Sequence, residues 1–476
     1  MPVSTSTAVN VSVVSKAPKT DAVVEFANEQ GGSPAVEALR GAKLFAGKPN
    51  ELALTVADDA TLAVVGLGDG SVKHVRSGSA LAARRLRKQG VASVLLRLEE
   101  TDEAQVEAAV AGFVIGCFNF TDYRGTAAKP DNGAKKLKIA IATRHKAAVK
   151  RGEAIGLAQN FARNVASTPG NDLYPDSLAK IARKLANQHK GLTCKVMDEK
   201  KLAEMKMGGI LAVGQGSARK PRMIVLEHKG GKKNEKPLLV VGKSITFDTG
   251  GISIKPAANM GAMIYDKCGG MAVLGLMHAV AALGVKRNVV GILSAAENMP
   301  GDNAYRPGDI ITMYNGITVE VTNTDAEGRL VLGDAIAWGC KTYKPSGCVD
   351  LATLTGGCVV ALGEQRAGSW SNDDDFAADV QSAADATDEP VWRMPLGEDF
   401  AEQLRGSVSA DVVNSPGRWG SACTAAQFLQ HFVPDGTPWV HLDIAGPAET
   451  PRDLPLYPKG PTGFGVRTLV KLAENG

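Results

Sequence analysis

Several kinds of segment that would assign a protein class at once are missing from this chain of 476 residues. No stretch approaches eighteen consecutive apolar residues, so the sequence contains nothing typical of a membrane-spanning helix. The seven cysteines are scattered and show no C-x-x-C pair, which excludes a disulfide framework and a zinc finger. Free thiols fit a reducing compartment, and we therefore expect a cytoplasmic protein with no membrane partner.

The chain also lacks a strong excess of positive or negative charge, and its histidines do not occur in pairs at metal-binding spacing. The formal net charge is only +4, and Lys and Arg are interleaved with acids, so the composition argues against nucleic acid as a partner. The seven histidines are dispersed and no H-E-x-x-H occurs, which excludes a zincin. The glycine-rich segment Gly66–Gly70 lacks the G-x-G-x-x-G spacing of dinucleotide-binding proteins, so an ordinary turn is favoured there.

The length and the alternation of strand and helix patterns predict two α/β domains, each with a mainly parallel or mixed sheet flanked by helices. Residues 1–20 are rich in Ser, Thr and Val and lack a secretory signal, so we expect a flexible N-terminus. The predicted divisions after it are an N-terminal α/β domain over residues 21–147, a linking helix over 148–168 and a C-terminal domain over 169–476. The predicted strands of the C-terminal domain are 222–227, 238–242, 289–295, 317–322, 349–354 and 439–444.

The most informative stretch is the octapeptide Asn323–Leu330, which stands between a strand pattern and a helix pattern. Turns of this kind, at the carboxyl ends of strands, are where open α/β sheets bind ligands. Residues two apart in an extended segment point the same way, so Asp325 and Glu327 are expected to converge. Two converging carboxylates repel each other unless one is protonated or a cation lies between them.

Other segments supply further ligands for such a cation. A strand pattern ends at Gly242 and leads into Lys243 and Asp248, and Lys255 and Asp266 follow at what we expect to be other strand ends. Four carboxylates carry a charge that two divalent metals would neutralise, and oxygen ligands favour Mn²⁺, Mg²⁺ or Zn²⁺. Such a pair of metals can hold a bridging hydroxide, with lysine and arginine stabilising negative charge on a substrate oxygen.

These motifs resemble those of the leucine aminopeptidases, the cytosol aminopeptidase family of two-metal exopeptidases. The resemblance rests on Asn323–Leu330, on Gly242-Lys243 with Ile245–Gly251, on Ser253–Pro256 and on Asp350–Gly356. It covers essentially all of the C-terminal half, which would be the catalytic domain. The N-terminal domain resembles the family in layout only, and a role in assembly or regulation is implied for it.

The resemblance implies a set of metal ligands in this sequence. One metal would be bound by Lys243, Asp248, Asp266 and Glu327. A second, more exchangeable metal would be bound by Asp248, Asp325 and Glu327, with the backbone carbonyl of Asp325. Lys243 would bind as a neutral amine, with its pKa lowered by two dications and by desolvation.

The resemblance also implies the catalytic roles. Lys255 would polarise the scissile carbonyl, and Arg329 would hold a bicarbonate ion that acts as general base. The first side chain of a peptide, preferably leucine-like, would enter a largely apolar pocket. The residues implied in substrate binding are Met263, Asn323, Thr353, Leu354, Gly356 and Ala445. A homohexamer acting on small peptides is implied as the assembly.

Two departures from the family pattern and two alternatives remain. Ser244 replaces a usual glycine and is expected only to tighten a turn, and Lys267 replaces a common methionine. Strand alternation would point Lys267 away from Asp266. One alternative is a DNA-binding or regulatory protein, whose best signal is the basic run 84–88, although the solvated face of a helix is the favoured explanation of that run. The other is a different two-metal hydrolase, such as a phosphoesterase.

Overall fold

A computed structural model describes residues 8–128 and 133–475, which form two compact units. The first unit comprises residues up to Asn164 together with Thr450–Gly460, and the second comprises Val165–Glu449 and the end of the chain. The division falls inside the helix that was predicted to link two domains. Residues Thr450–Gly460, which the sequence analysis assigns to the C-terminal domain, group with the first unit by their contacts. Within that unit, the Tyr457 hydroxyl accepts a hydrogen bond of 3.0 Å from Gln159.

The first unit is a six-stranded sheet with helices, in the part of the chain that the structure describes. Its elements are β1 (Ala8–Val14), β2 (Ala22–Ala27), α1 (Pro34–Gly41), β3 (Leu52–Ala57), β4 (Ala60–Gly66), α2 (Val72–Lys88), β5 (Ser93–Arg97), α3 (Glu103–Gly116), β6 (Lys136–Ala142) and α4 (Lys146–Ser167), the last continuing into the second unit. The strand order is β1-β6-β5-β2-β4-β3, and only β3 is antiparallel to its neighbour.

The prediction of a flexible N-terminus over residues 1–20 is wrong for Ala8–Val14. These residues pair in parallel with β6 over their full length, from Ala8 opposite Lys136 to Val14 opposite Ala142. Val9, Val11 and Val13 pack against the core of the unit, as the alternation of a half-buried strand requires. Residues 1–7 lie outside the described residues.

The second unit contains an eight-stranded mixed sheet among its described residues. Its elements up to the centre of the sheet are α5 (Pro175–Gln188), β7 (Leu192–Met197), α6 (Glu199–Glu204), α7 (Gly208–Gly214), β8 (Arg222–Lys229), β9 (Leu238–Asp248), the 3₁₀ helix Met260–Tyr265, α8 (Cys268–Leu283) and β10 (Asn288–Asn298). The elements that follow are β11 (Ile310–Thr312), β12 (Thr318–Glu320), α9 (Gly328–Tyr343), β13 (Gly347–Ala352), α10 (Gly356–Leu362), β14 (Ala367–Ser371), α11 (Asp374–Thr387), β15 (Val391–Arg393), α12 (Glu398–Leu404), β16 (Val412–Val413), α13 (Ser421–Gln430), β17 (Trp439–Asp443) and α14 (Val466–Glu474). The short strands β18 (Glu449–Thr450) and β19 (Gly460–Pro461) each contain one residue of either unit.

The strand order of this sheet is β15-β14-β17-β13-β9-β10-β8-β7. Its centre, β17-β13-β9-β10, is parallel, and antiparallel strands flank that centre, so the predicted mainly parallel or mixed sheet is confirmed. All residues of β9 but one are buried, because helices cover the sheet. Helix α8 lies directly on β9, and a β-carbon at Gly242 would collide with the backbone of Gly270. The carboxyl ends of the central strands therefore lie at one edge of a closely packed sheet.

Candidate active site

One cavity of about 600 Å³ in the second unit is lined by all the residues that the sequence analysis assigned to metal binding, catalysis or substrate binding. Its walls come from β9, the 3₁₀ helix, the turn before α9, and the loops after β9, β13 and β17. The predicted residues that line it are Lys243, Asp248, Lys255, Met263, Asp266, Asn323, Asp325, Glu327, Arg329, Thr353, Leu354, Gly356 and Ala445. The fold therefore brings together residues that are far apart in sequence.

Strand β9 carries two of these residues. The prediction ended this strand at Gly242, which is wrong because β9 runs to Asp248. Strand β13 pairs with β9 only as far as Gly242, whereas β10 pairs with it up to Asp248. On the β13 side, no strand of the described chain pairs with β9 from Lys243 onward, and the Lys243 ammonium donates to the carbonyl of Thr353 at 2.9 Å.

Lys243 forms a buried group of charges with Asp266 and Glu327. Its Nζ lies 2.8 Å from Asp266 Oδ1 and 2.8 Å from Glu327 Oε1. Asp266 follows the 3₁₀ helix, so the expectation that it stands at the end of a strand is wrong. Burial alone would lower the pKa of Lys243, but the surrounding carboxylates raise it, so the amine is protonated in this arrangement.

A second lysine bridges the remaining two carboxylates. Lys255 Nζ lies 2.8 Å from Asp248 Oδ2 and also contacts Asp325 Oδ1. Burial opposes the charge of Lys255, but the carboxylates outweigh it and raise its pKa, so this side chain is an ammonium at neutral pH. Each lysine thus lies between two acids in the wall of the cavity.

The turn that carries Asp325 and Glu327 follows β12, which belongs to a separate three-stranded sheet with β11 and β16. The expectation that this turn ends a strand of the main sheet is therefore wrong. The convergence of the two acids does not come from strand alternation either, since Glu327 has helical backbone angles. Carboxylate oxygens of Asp248, Asp325 and Glu327 nevertheless lie within 4.8 Å of one another.

The donors of this cluster fit divalent cations. Its four carboxylates face only two lysine ammonium groups. Burial raises the pKa of Asp266 and of Glu327, and the lysines oppose that shift only in part. Asp266 Oδ2 and Glu327 Oε2 are buried without a hydrogen-bond partner among the described residues. Since hard dications bind oxygen ligands and remove the cost of such unpaired buried acceptors, the residues suit Mn²⁺, Zn²⁺ or Mg²⁺.

Arg329 lies in the first turn of α9 and is 6% exposed. One of its terminal nitrogens donates to the carbonyl of Asn414 at 2.7 Å, and its buried Nε has no partner in the described part of the chain. Burial lowers the pKa of Arg329 to about 10, so the guanidinium stays charged at neutral pH. A charged planar donor in a cavity wall suits a small oxyanion.

Asn298 is a buried residue that the sequence analysis did not single out. It ends β10, and its Nδ2 donates to Asp248 Oδ1 at 2.8 Å and to the carbonyl of Thr324 at 3.1 Å. One side chain thus joins strand β9 to the turn before α9. The only sequence signal was its position just beyond a predicted strand.

Asp443 is a second residue of this kind, at the end of β17. Its carboxylate accepts hydrogen bonds from the Thr355 hydroxyl at 2.6 Å, from the Leu354 N–H at 3.1 Å and from the Ala445 N–H at 3.0 Å. The three donors lie on two loops that line the cavity. Asp443, which is fully buried, therefore holds these two loops together.

The two departures from the family pattern have different surroundings from those expected. Ser244 lies inside β9 and donates to the carbonyl of Gly242 at 3.1 Å, so the expectation that it tightens a turn is wrong. Lys267 precedes α8 rather than lying in a strand, and its buried ammonium donates to the carbonyls of Thr168 and Ile264. Lys267 is not among the described residues that line the cavity. Burial lowers its pKa to about 8.

Comparison with protein families assigns both parts of the chain. The model described as "Cytosol aminopeptidase family, catalytic domain" matches residues 160–470, and the one described as "Cytosol aminopeptidase family, N-terminal domain" matches residues 11–127. The chain belongs to the cytosol aminopeptidase family. It is a metallo-aminopeptidase, and the resemblance inferred from the sequence motifs is confirmed.

Relatives of this family member are similar over most of their length. A probable cytosol aminopeptidase of Desulfovibrio desulfuricans is 45% identical over 454 residues, covering 91% of this chain and 90% of that protein. One of Aquifex aeolicus is 42% identical over 407 residues, covering 84% and 82%. Among solved structures, the bottromycin maturation enzyme BotP in complex with Mn has a TM-score of 0.88 at 33% identity, covering 96% of this chain and 99% of that one. A mutant of tomato leucine aminopeptidase has a TM-score of 0.86 at 28% identity, with coverages of 99% and 98%.

The alternative of a DNA-binding protein is not supported in this cytosol aminopeptidase. Of its basic run on α2, Arg85 and Lys88 are exposed, whereas Arg87 is buried. Arg84 turns inward and donates to the carbonyl of Leu454 at 2.7 Å. Two of the four basic side chains in this run are exposed, so the solvated basic face expected there is formed only in part. Among the described residues, no helix is long and apolar enough to span a membrane.

Proposed function

We propose that this cytosol aminopeptidase uses two divalent metal ions to remove leucine-like N-terminal residues from peptides. The observation that carries the proposal is the group of carboxylate oxygens from Asp248, Asp325 and Glu327 within 4.8 Å of one another. This group lies in the wall of a cavity of about 600 Å³, large enough for the end of a peptide.

The proposed ligands divide between two metals. Lys243, Asp248, Asp266 and Glu327 would hold one ion, and Asp248, Asp325 and Glu327, with the Asp325 carbonyl, would hold the other. Mn²⁺ or Zn²⁺ is the preferred occupant and Mg²⁺ the third choice, because the donors are mainly carboxylates with one amine. The relative BotP, described in complex with Mn, supports that preference. When bound, the ions supply Lewis acidity to a water molecule and to the scissile carbonyl.

Lys243 must lose a proton to serve as a ligand. Its ammonium is stabilised by Asp266 and Glu327, each with an oxygen 2.8 Å away. Dications that take over these carboxylates would remove that stabilisation, and burial would then favour the neutral amine. Metal uptake is therefore expected to release a proton.

Lys255 would act on the substrate as a cation. Its raised pKa keeps the amine protonated at neutral pH, and its position in the cavity wall gives it access to a bound peptide. Once Asp248 and Asp325 serve a metal, the Lys255 ammonium can donate to the scissile carbonyl oxygen. It would stabilise the negative charge that develops on that oxygen.

Arg329 would hold the general base. Its guanidinium is charged, lines the cavity and has one nitrogen fixed by the Asn414 carbonyl. The remaining donors form a planar fork that suits bicarbonate, which would accept a proton from the attacking water.

The pocket for the first side chain would be formed by Met263, Thr353, Leu354, Gly356 and Ala445, with Asn323 near the peptide backbone. These residues all line the cavity, and most of them present apolar atoms. An apolar pocket favours a leucine-like residue over a charged one by the cost of burying the charge.

A homohexamer in the cytoplasm completes the proposal. The name of the family supports the compartment. All seven cysteines, which lie within the described residues, are free thiols, as a reducing compartment allows. Analytical ultracentrifugation of the purified protein tests the hexamer, since a monomer or dimer at micromolar concentration would refute it.

The central test is hydrolysis of leucine anilide by protein stripped of metal and then reloaded. We expect no activity in the stripped protein and recovery with Mn²⁺ or Zn²⁺, accompanied by uptake of two ions per chain. Failure of every metal to restore hydrolysis would contradict the proposal. A simple phosphate monoester, nitrophenyl phosphate, serves as the control substrate, because its hydrolysis would indicate a phosphoesterase instead.

A Glu327→Ala variant tests the cluster itself. Glu327 is 1% exposed and is assigned to both metals, so its removal is expected to abolish hydrolysis and to lower the number of bound ions. Glu227→Ala is the matched control, because Glu227 is also a buried acid paired with a lysine, Lys195, but does not line the cavity. A wild-type rate in Glu327→Ala would overturn the assignment.

A further inference from the structure

Asn414 lies at the end of β16 and is fully buried. Strand β16 pairs in parallel with β12, and the Asn414 N–H still donates to the carbonyl of Glu320 at 3.0 Å. Strand β12 ends at Glu320, and the turn that carries Asp325 begins there. The side chain of Asn414 therefore lies where the hydrogen bonding between β12 and β16 ends and the turn begins.

The oxygen of the Asn414 side chain binds the start of the turn. Its Oδ1 accepts hydrogen bonds from the Thr322 N–H at 2.8 Å, from the Thr322 hydroxyl at 3.1 Å and from the Asn323 N–H at 3.3 Å. These donors are two residues or more before Asp325. One buried oxygen thus replaces the backbone acceptors that a longer strand would supply.

The nitrogen of the same side chain binds both sides of Asp325. Asn414 Nδ2 donates to the carbonyl of Asn323 at 2.7 Å and to that of Ala326 at 3.4 Å. Asp325 lies between these two residues, and Glu327 follows Ala326 directly. Their backbone is held on one side by Asn414 and on the other by Asn298, which binds the Thr324 carbonyl.

The main chain of Asn414 makes the last contact, since its carbonyl accepts the 2.7 Å hydrogen bond from Arg329. Ser415, the next residue, and Gly417, two residues further on, line the same cavity. One residue therefore contacts the turn that carries two acids of the cluster and also the arginine beside it.

We propose that Asn414 is a positioning residue that sets the geometry of Asp325 and Glu327 for metal binding and orients Arg329. The inference rests on the proposed two-metal function. Residues that orient metal ligands through hydrogen bonds commonly change metal affinity by ten- to a hundred-fold when they are substituted. Without the Asn414 side chain, four backbone groups of the turn each lose a hydrogen bond, so the two carboxylates would no longer converge in one arrangement.

The test uses the full-length, metal-free protein and its Asn414→Ala and Asn414→Asp variants, titrated with Mn²⁺ by calorimetry and with Co²⁺ by visible absorption. Asn414→Asp keeps the shape and the accepting oxygen, replaces the donor by a second oxygen and adds a negative charge. Its added charge would favour dications, so weaker binding in that variant cannot come from charge. We expect both variants to bind Mn²⁺ at least ten-fold more weakly and to show an altered Co²⁺ spectrum.

Asn288→Ala is the matched control. Asn288 also bridges a loop of the second unit through its side chain, with contacts to the Gly231 N–H at 3.2 Å and to the carbonyls of Lys232 at 2.8 Å and Glu235 at 3.0 Å. It does not line the cavity. We expect Asn288→Ala to lower the melting temperature without changing the Mn²⁺ affinity or the Co²⁺ spectrum.

The outcomes separate this inference from the proposed function. A wild-type protein that takes up neither Mn²⁺ nor Co²⁺ refutes the two-metal function and the role of Asn414 with it. A wild-type protein that binds both, together with a folded Asn414→Asp variant of unchanged affinity and spectrum, refutes the role of Asn414 alone. Loss of folding in both Asn414 variants, under conditions in which Asn288→Ala folds, would show that Asn414 supports the fold as a whole and would also overturn the inference.

Discussion

Replacing Gly328 by alanine tests whether the cluster needs Lys243 in the position that the structure gives it. A β-carbon at Gly328 would lie 2.6 Å from Cε, 2.7 Å from Nζ and 2.8 Å from Cδ of Lys243. All three distances are well below ordinary van der Waals contact, so the lysine must move. Its Nζ is held at 2.8 Å by Asp266 and by Glu327, and the side chain is only 3% exposed. The added methyl group therefore competes directly with two buried ion pairs.

The loss of stability depends on whether helix α9 shifts or Lys243 is displaced. If the helix shifts and the ion pairs survive, the cost is that of overpacking a core, about 1 to 3 kcal/mol. If Lys243 is displaced, Asp266 and Glu327 lose their buried partner, and the loss is about 3 to 5 kcal/mol. The gain from alanine over glycine at a helical position is about 1 kcal/mol and offsets only part of either loss. Since the close contacts are with the Lys243 side chain, we expect the second case, a fall of about 2 to 4 kcal/mol in the free energy of unfolding. Mn²⁺ affinity is expected to fall at least ten-fold, because Lys243 is a proposed ligand.

Urea denaturation and calorimetric titration with Mn²⁺ measure the two effects. Gly261→Ala is the control, since Gly261 lies in the 3₁₀ helix beside the cavity and a β-carbon there would meet no atom within 4 Å. That control is expected to match the wild type in both measurements. If Gly328→Ala also matched the wild type in both, the packing of Lys243 against this glycine would be the wrong explanation for the glycine at this position.

Two further predictions concern a buried histidine and the wall of the cavity. Burial, aided by the neighbouring His189, lowers the pKa of His278 to about 4. The unfolded chain therefore binds a proton between pH 6.5 and pH 4 that the folded chain does not, so stability falls as the pH drops through this window, by at most about 3 kcal/mol. His278→Leu should flatten the dependence of the melting temperature on pH across that window, and an unchanged slope would contradict the burial argument. Asp443→Ala should reduce the preference for leucine over alanine anilide about ten-fold, because the loops bearing Leu354 and Ala445 lose their common acceptor, and Asp443→Asn should keep most of it; equal preference in Asp443→Ala and the wild type would refute this role.

The sequence was sufficient wherever the relevant signal is local. Strand patterns such as 222–227 and 439–444 correspond to β8 and β17, because continuous apolar runs with β-branched residues are typical of buried strands. The octapeptide Asn323–Leu330 likewise predicted where two acids would meet, and Asp325 and Glu327 do converge with Asp248.

Tertiary structure decided the features that depend on hydrogen bonds between distant segments. The strand of Ala8–Val14 has its partner more than a hundred residues further on, so composition alone suggested a flexible segment. The length of β9 beyond Gly242 depends on β10, which continues to pair there after β13 has ended. Neither partner can be read from the residues of the strand itself.

In the cavity, too, local motifs predicted some of the residues and only the fold revealed the others. Local motifs indicated which carboxylates and lysines belong to it, because their residue types and spacing are sufficient to suggest metal chemistry. Asn298, Asn414 and Asp443 carry no such motif, and their importance lies in the distant backbone groups that they bind. Residue types and motifs alone thus predicted which acids and lysines form this cluster. Only the folded chain decided which neutral and buried side chains hold that cluster in place, since those contacts exist only once strands far apart in sequence lie side by side.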